Sequence, residues 1–134
     1  MIPAIIKGDT YEDSRGKLTY NNVFNASTVK RIYSIENYGL DLERGWQGHK
    51  IEQRWIIATN GSFKIRVINI DFFEKSNLDI QPFEFTIESN RMDVLHIPSG
   101  YLTSIKALEL NSKLLLMSDY MLNEIIDEIR YPII

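Results

Sequence analysis

Short runs of β-branched and aromatic residues recur along most of the chain, separated by turn-forming segments such as 98–100 and 111–112. In one run, Phe63, Ile65 and Val67 alternate with polar residues, which is the period of a strand with one buried face. The predicted strands cover residues 18–24, 29–35, 55–70, 83–88, 93–97, 102–108 and 113–118. Many short strands with tight turns and little helix favour an antiparallel sandwich or barrel.

The segment 55–70 contains the clearest turn signal in the chain. Asn60 and Gly61 stand between two β-rich runs, and this dipeptide tolerates the positive φ angles of a type I′ turn. We therefore predict a β-hairpin with Gly61 at its tip.

The C-terminal segment 121–130 breaks the strand pattern. Its apolar residues fall at helical spacing and comprise Leu122, Ile125, Ile126 and Ile129. This pattern predicts a short amphipathic helix that packs against the sheets or against a second subunit. The acidic pair Asp127 and Glu128 would then lie on the solvated face of that helix.

Composition limits the class of protein. The 134 residues suit a single domain, 1–134, and 44% hydrophobic with 25% charged residues are ordinary for a globular protein. The net charge of −3 argues against a nonspecific nucleic-acid binder, and the absence of cysteine excludes disulfides and thiolate chemistry. No segment approaches the roughly 20 apolar residues of a membrane-spanning helix. We expect a cytoplasmic protein with no membrane partner.

The stretch RGWQGHKIEQRW, residues 44–55, concentrates polar and aromatic side chains. On an extended strand Gln47 and His49 point to the same side, as does Gln53 if the strand resumes in register. Arg54 would then lie on the opposite, solvated face. Because buried polar groups need partners, an inward-facing set of this kind is expected to line a cavity that accepts a ligand.

Several segments together resemble a known family. In chain order they are 13–18 (D-x-R-G-x-L), 29–33 (K-R-x-Y), 44–53 (R-G-x-H-x-H-K, then a glutamine), 61–63 and 97–100 (I-P-x-G), where the letters give the family's pattern and residue 47 is Gln here. This ordered set resembles the cupin-type dTDP-4-keto-6-deoxyglucose 3,4-ketoisomerases and, more distantly, the dTDP-4-dehydrorhamnose 3,5-epimerases. The resemblance implies an all-β, cupin-type antiparallel β-barrel (jelly roll) with a short C-terminal helix. It also implies a homodimer in which a second subunit completes the site.

The implied reaction moves a carbonyl between C4 and C3 of a nucleotide-linked sugar by proton transfer through an enediol. His49 is the candidate acid–base residue, Tyr101 a second proton donor, and His96 a competing candidate. Gln47 stands where the family has its first histidine, and glutamine cannot act as a base. Gln47 and Gln53 would instead hydrogen-bond the sugar or the enediolate.

The diphosphate of the substrate requires cationic partners. Arginine suits it because the guanidinium fork binds phosphate oxygens in a fixed plane. Arg31 and Arg44 belong to the matching motifs, and Arg66 is a further candidate. Tyr33 or Trp46 would stack on the nucleotide base.

A metal site is not expected. Many cupins hold a metal through two histidines, a carboxylate and a third histidine on a later strand. The corresponding positions here are Gln47, His49, Gln53 and Thr103. One imidazole with amides and a hydroxyl is a poor transition-metal set, so the sequence predicts metal-free chemistry without a cofactor.

Three functions remain open from the sequence. The first is a 3,4-ketoisomerase acting on a dTDP-4-keto-6-deoxyhexose. The second is a 3-epimerase acting on the same class of substrate. The third is a cupin that binds a nucleotide-linked sugar without catalysis, because Gln47 replaces a histidine.

Overall fold

The fold is built from short strands. The computed structural model describes residues 1–75 and 79–133. The elements are β1 (Ala4–Ile6), β2 (Asp9–Asp13), β3 (Gly16–Tyr20), β4 (Arg31–Glu36), β5 (Glu43–His49), β6 (Arg54–Asn60), β7 (Ser62–Asn69), α1 (Asp71–Glu74), β8 (Phe83–Glu88), β9 (Val94–Ile97), β10 (Tyr101–Ala107), β11 (Lys113–Ser118) and β12 (Glu128–Arg130). The predicted all-β class is confirmed, and no helix among the described residues could cross a membrane.

Two five-stranded antiparallel sheets form the body of the fold. Their strand orders are β1-β9-β6-β11-β4 and β12-β5-β10-β7-β8, and β2 pairs with β3 alone. The core lies between the sheets, with Ile56 and Leu116 on one side and Phe63, Ile65 and Val67 on the other. The expected closed barrel is wrong, because the edge strands β4 and β12 do not pair with each other. Residues from both edges line the pocket described below.

The two strands around Gly61 form as predicted, but they do not make a hairpin. β6 pairs with β9 and β11, whereas β7 pairs with β8 and β10, so the chain changes sheet at Gly61. Gly61 has φ +70°, and a Cβ there would collide with the side chain of Ser112. The crossover places Ile56 of β6 and Phe63 of β7 on opposite walls of the core, whereas hairpin partners would share one wall.

The predicted C-terminal helix is also wrong. Residues 121–127 form turns and loop, and β12 then adds to the edge of β5. The backbone groups of Tyr131 and Trp46 exchange two hydrogen bonds of 2.7 and 2.8 Å. Ile129, Tyr131 and Ile133 alternate toward an apolar cluster around Trp46, which is a strand period. Ile126, by contrast, is 99% exposed, so the apolar residues at helical spacing do not share one buried face.

Candidate functional site

A pocket of about 240 Å³ lies between strands β4 and β12. Strand β4 contributes Arg31 and Tyr33, strand β5 contributes Gln47 and His49, and Glu52 follows in the β5–β6 loop. The C-terminal segment 121–130 supplies the remaining wall. Its residues in the pocket are Leu122, Asn123, Ile125, Ile126, Asp127 and Glu128. The pocket is therefore formed by strand ends from both sheets and closed by the C-terminal segment.

His49 is the last residue of β5, and both of its ring nitrogens contact carboxylates. Its Nδ1–H donates to Asp127 Oδ1 at 2.8 Å, and its Nε2 lies 3.0 Å from Glu52 Oε2. The His49 side chain is 12% exposed and reaches the pocket, as strand geometry predicted. These contacts fix the plane of the imidazole.

The side chain of Asp127 is buried beneath the β5–β6 loop. Its Oδ2 accepts hydrogen bonds from the amides of Ile51 and Glu52, each at 2.8 Å, while Oδ1 accepts from His49. Burial by itself would raise the pKa of Asp127, but the hydrogen bonds from Glu52, His49 and Ile51 outweigh it and lower the pKa. The interpretation of Asp127 as a solvated helix residue is wrong, because its side chain is only 6% exposed.

Glu52 links His49 to Arg31. Arg31 Nη2 donates to the two oxygens of Glu52 at 3.3 and 3.2 Å, and the guanidinium lies 5.0 Å from the centre of the Tyr33 ring. Burial raises the pKa of Tyr33, although Arg54 and Arg31 partly offset the effect, so the phenol is neutral at physiological pH. Arg31 Nε is buried and has no hydrogen-bond partner among the described residues, so this side chain has a donor left for a ligand.

Gln47 lines the same pocket but is tied to the C-terminal strand. Its Nε2 donates to Glu128 Oε1 at 2.8 Å, and Arg130 Nε donates to the same oxygen at 2.5 Å. The hydrogen bond from Arg130 is the main reason that the pKa of Glu128 is lowered. Gln47 is thus positioned by an ionised carboxylate, and the amide itself exchanges no proton.

A smaller cavity of about 50 Å³ lies between the sheets and shares Gln47 and His49 with the pocket. Arg54 lines it and is 4% exposed. Its guanidinium donates to Thr103 Oγ1 at 3.1 Å and to the carbonyls of Gln47 and Tyr101 at 3.4 Å. The interpretation of Arg54 as a solvated residue is wrong, because the first five residues of β6 are all buried.

Tyr101 and Arg44 lie beside the pocket without lining it. Tyr101 pairs with His49 in the β10–β5 register, but its ring is part of the core and sits 6.4 Å from the ring of Phe83. Arg44 lines the smaller cavity, and its Nε donates to Asn37 Oδ1 at 2.9 Å.

Gln53 and His96 form a separate pair away from His49. His96 Nε2–H donates to Gln53 Oε1 at 2.7 Å, and the His96 ring stacks on Trp55 at 5.3 Å. Burial lowers the pKa of His96, with a smaller opposing effect from Asp119, whose carboxylate also binds the Gln53 amides. The expectation that Gln53 shares a face with His49 is wrong, because the chain leaves the strand after His49 and resumes only at β6.

Arg66 lies on another surface. Its guanidinium sits 4.9 Å from the centre of the Trp46 ring and forms an ion pair with Glu43, and its Nε donates to Ser104 Oγ at 3.1 Å. The structure therefore places Arg66 and Trp46 outside the pocket that holds His49.

The positions compared with cupin metal ligands make other contacts. Thr103 accepts a hydrogen bond from Arg54, Gln53 binds Asp119, and Gln47 binds Glu128. Within residues 1–75 and 79–133 no group of three or more histidine, aspartate and glutamate side chains is arranged to hold a metal ion.

Comparison with solved structures finds sugar-nucleotide isomerases and epimerases. A histidine-to-asparagine mutant of the 3,4-ketoisomerase QdtA from Thermoanaerobacterium thermosaccharolyticum, in complex with TDP-4-keto-6-deoxyglucose, is 25% identical with a TM-score of 0.74. The match covers 96% of this chain and 87% of that one. A 3,4-ketoisomerase from Helicobacter canadensis is 23% identical with a TM-score of 0.71, covering 92% and 87% of the two chains.

A more distant neighbour is the dTDP-4-dehydrorhamnose 3,5-epimerase from Bacillus anthracis, with TDP and PPi bound. It is 13% identical with a TM-score of 0.71, and the match covers 89% of this chain and 73% of the epimerase. Likenesses at this level of identity concern the fold alone.

The sequence itself identifies the family. No curated protein matches it. A family model described as FdtA, WxcM-like, C-terminal matches residues 2–130, which is almost the whole chain. The ketoisomerase resemblance seen in the motifs is thereby confirmed at the level of family, and the chain belongs to the WxcM-like, C-terminal family.

Proposed function

We propose that the protein is a 3,4-ketoisomerase acting on a dTDP-linked 4-keto-6-deoxyhexose, with side chains alone as acid and base. The observation that carries the proposal is His49, an imidazole on the pocket wall whose orientation is fixed by a buried carboxylate. Family membership and the QdtA mutant bound to TDP-4-keto-6-deoxyglucose support the substrate class. The proposal includes the cytoplasmic homodimer expected from the sequence.

His49 is the proposed proton carrier. Its Nδ1–H remains hydrogen-bonded to Asp127, so Nε2 is the nitrogen that reacts. On substrate entry the proton that Nε2 shares with Glu52 passes to that carboxylate, which stays on Arg31, so the imidazole is neutral and Nε2 can act as a base. Nε2 then removes the C3 proton, the enediol forms, and the same nitrogen returns a proton to C4.

The nucleotide end of the substrate is assigned to the arginines nearest the pocket. Arg31 has a free Nε–H for a phosphate oxygen, and its neighbour Tyr33 offers a ring face to the base. Arg44 lies beside the smaller cavity and is a second phosphate ligand in this proposal. Arg66 is excluded from it because its guanidinium is engaged by Glu43 outside the pocket.

Isotope exchange tests the assignment of His49. The protein is incubated with dTDP-4-keto-6-deoxyglucose in deuterated water, and NMR follows deuterium at C3 and C4. We expect exchange and a new 3-keto sugar with the wild type, and loss of both with His49→Asn. His96→Asn is the matched control, since His96 lies outside the pocket, and it should retain activity. Equal activity in wild type and His49→Asn would overturn the assignment.

The contacts of Gln47 favour a second candidate. An amide held by Glu128 now stands where the family has a histidine, so one proton-transfer group is missing from the pocket. A 3-epimerase needs proton loss and return at C3 only, and a binding protein needs neither. In the same experiment an epimerase incorporates deuterium at C3 alone and keeps the ketone at C4. A binding protein shows TDP affinity by calorimetry without exchange.

A further inference from the structure

Arg54 carries a buried charge that the protein does not neutralise by direct contact. Its guanidinium is bound by a hydroxyl and two backbone carbonyls, all of them neutral. No ion pair joins Arg54 to a carboxylate in the part of the chain that the structure describes, 1–75 and 79–133. A buried cation with neutral partners is costly for folding, so its retention calls for a function.

The carboxylates nearest to the pocket already have partners of their own. Glu52 binds Arg31 and His49, Asp127 binds His49 and two amides, and Glu128 binds Arg130. Their charges favour the protonated guanidinium without touching it, although burial lowers the pKa of Arg54. The positive charge of Arg54 is therefore available to an anion in the cavity.

The position of Arg54 connects it to the proposed chemistry. The cavity of about 50 Å³ that it lines is bordered by Gln47, His49 and Tyr33, which also line the larger pocket. Thr103 holds the guanidinium from the opposite sheet. A sugar placed against His49 thus has a fixed cation on the inner side of its reacting carbons.

We infer that Arg54 stabilises the oxyanion of the enediolate that forms beside His49, an inference that rests on the proposed ketoisomerase function. As the C3–H bond breaks, its proton goes to His49 Nε2 and its electron pair forms the C3–C4 double bond. The π electrons of the C4 carbonyl move to O4, which becomes the oxyanion paired with Arg54. The proton of the O3 hydroxyl then passes to O4, C4 receives the proton from His49, and the carbonyl stands at C3.

A fixed cation in a buried cavity acts more strongly on a developing charge than on a neutral ketone. Arg54 should therefore affect kcat far more than substrate binding. Loss of one oxyanion partner lowers kcat by about 10²–10³ in comparable sites. A residue with only a structural role would instead lower the stability of the fold and leave this kinetic pattern unchanged.

Arg54→Met is the decisive variant because it removes the charge and keeps most of the volume. We expect kcat on dTDP-4-keto-6-deoxyglucose to fall by about 10²–10³, as for other oxyanion partners. KM and the TDP affinity measured by calorimetry should change less than about threefold. The midpoint of thermal unfolding should change little, since the cost of burying the charge is removed together with its hydrogen bonds to one hydroxyl and two carbonyls. Arg54→Lys, which keeps a cation, should recover part of the rate.

Each outcome separates this inference from the proposed function. If the wild type isomerises the sugar and Arg54→Met does so at the same rate, the inference fails and the proposed function stands. If the wild type shows neither exchange nor isomerisation, the proposed function fails and the inference fails with it. Should Arg54→Met be unfolded, Arg54→Gln takes its place in the same assays. Loss of folding in both would show a structural role and overturn the inference.

Discussion

The residues around His49 come from distant parts of the sequence. His49 and Asp127 are separated by 78 positions, yet they share a 2.8 Å hydrogen bond. Glu52 is close to His49 in sequence, but its contact with Arg31 depends on the approach of β4. The motif of residues 44–53 was sufficient to single out His49. It carried no information about the two carboxylates, because acidic residues without a known partner are most simply interpreted as solvated.

Asp127→Asn tests whether Asp127 positions His49. The substitution keeps the size of the side chain but removes the charge that fixes the Nδ1–H of His49. We expect kcat to fall by about 10- to 100-fold, the range known for loss of a carboxylate that orients a metal-ligating histidine. KM should change little, and the measurement is steady-state kinetics on dTDP-4-keto-6-deoxyglucose.

Glu124→Gln is the control for that prediction. Glu124 lies in the same segment but accepts from the amide of Met121 and pairs with Lys30 instead of His49. It should leave kcat unchanged. An Asp127→Asn enzyme with wild-type kcat would show that Asp127 has no positioning role.

Among the elements, β12 matters most for the site. It is a three-residue edge strand held to β5 by backbone hydrogen bonds and by an apolar cluster that includes Ile129 and Trp46. Glu128 of β12 pairs with His49 of β5, so the register of β12 also sets where the preceding residue, Asp127, meets the imidazole. A shift of one residue would turn Asp127 away from His49.

Ile129→Asp should detach this strand. A carboxylate placed in the apolar cluster loses hydration without gaining a partner, so we expect the unfolding free energy to fall by about 1–3 kcal/mol. Activity should fall as well, since Asp127 is carried on the same segment. Ile126→Asp is the matched control for stability, because Ile126 is fully exposed. Thermal unfolding of both variants checks the prediction, and equal midpoints would contradict it.

At the scale of the whole molecule, the site exists because two sheets do not close into one barrel. The sheets share a core in their centres, but β4 and β12 remain unpaired with each other at one side. Arg31 and Tyr33 reach the pocket from one sheet, and Gln47 and His49 from the other. The geometry of the site therefore depends on how firmly the two sheets pack against each other.

The stability of the whole fold should depend on pH through His96. Burial lowers the pKa of His96 below its ordinary value of 6.5. As the pH falls through about 6.5, the unfolded chain binds a proton that the folded chain does not bind. The unfolding free energy should therefore be highest above pH 6.5 and decrease as the pH falls toward the lowered pKa of the folded state.

Urea unfolding between pH 5 and 7.5 measures this dependence. In His96→Gln the group that titrates is absent, so the decrease between pH 6.5 and 5 should be smaller than in the wild type. Identical pH dependence in the two proteins would show that His96 is not responsible.

Below this range a second group contributes. The pKa of Asp127 is lowered from 3.8, so its stabilising effect is present above pH 3.8 and lost as the pH falls further. Asp127→Asn should therefore lose less stability than the wild type on acidification below pH 4.

The sequence by itself determined most of the central strands and the family. The alternation through Phe63, Ile65 and Val67 follows from the geometry of an extended chain, in which successive side chains point to opposite faces, and those three residues are fully buried. The ordered motifs were enough to indicate the family, and the family model described as WxcM-like, C-terminal confirms it. Both signals are local, and a local pattern can be read without knowledge of the fold.

Only the tertiary structure decided which strands pair and which polar groups meet. The strands on either side of Gly61 belong to different sheets, and the C-terminal residues form an edge strand instead of a helix. Arg54 and Asp127 are buried because β10 and the β5–β6 loop cover them. Their partners lie about 50 to 80 positions away in the sequence, and contacts over such distances are fixed by packing of the whole chain.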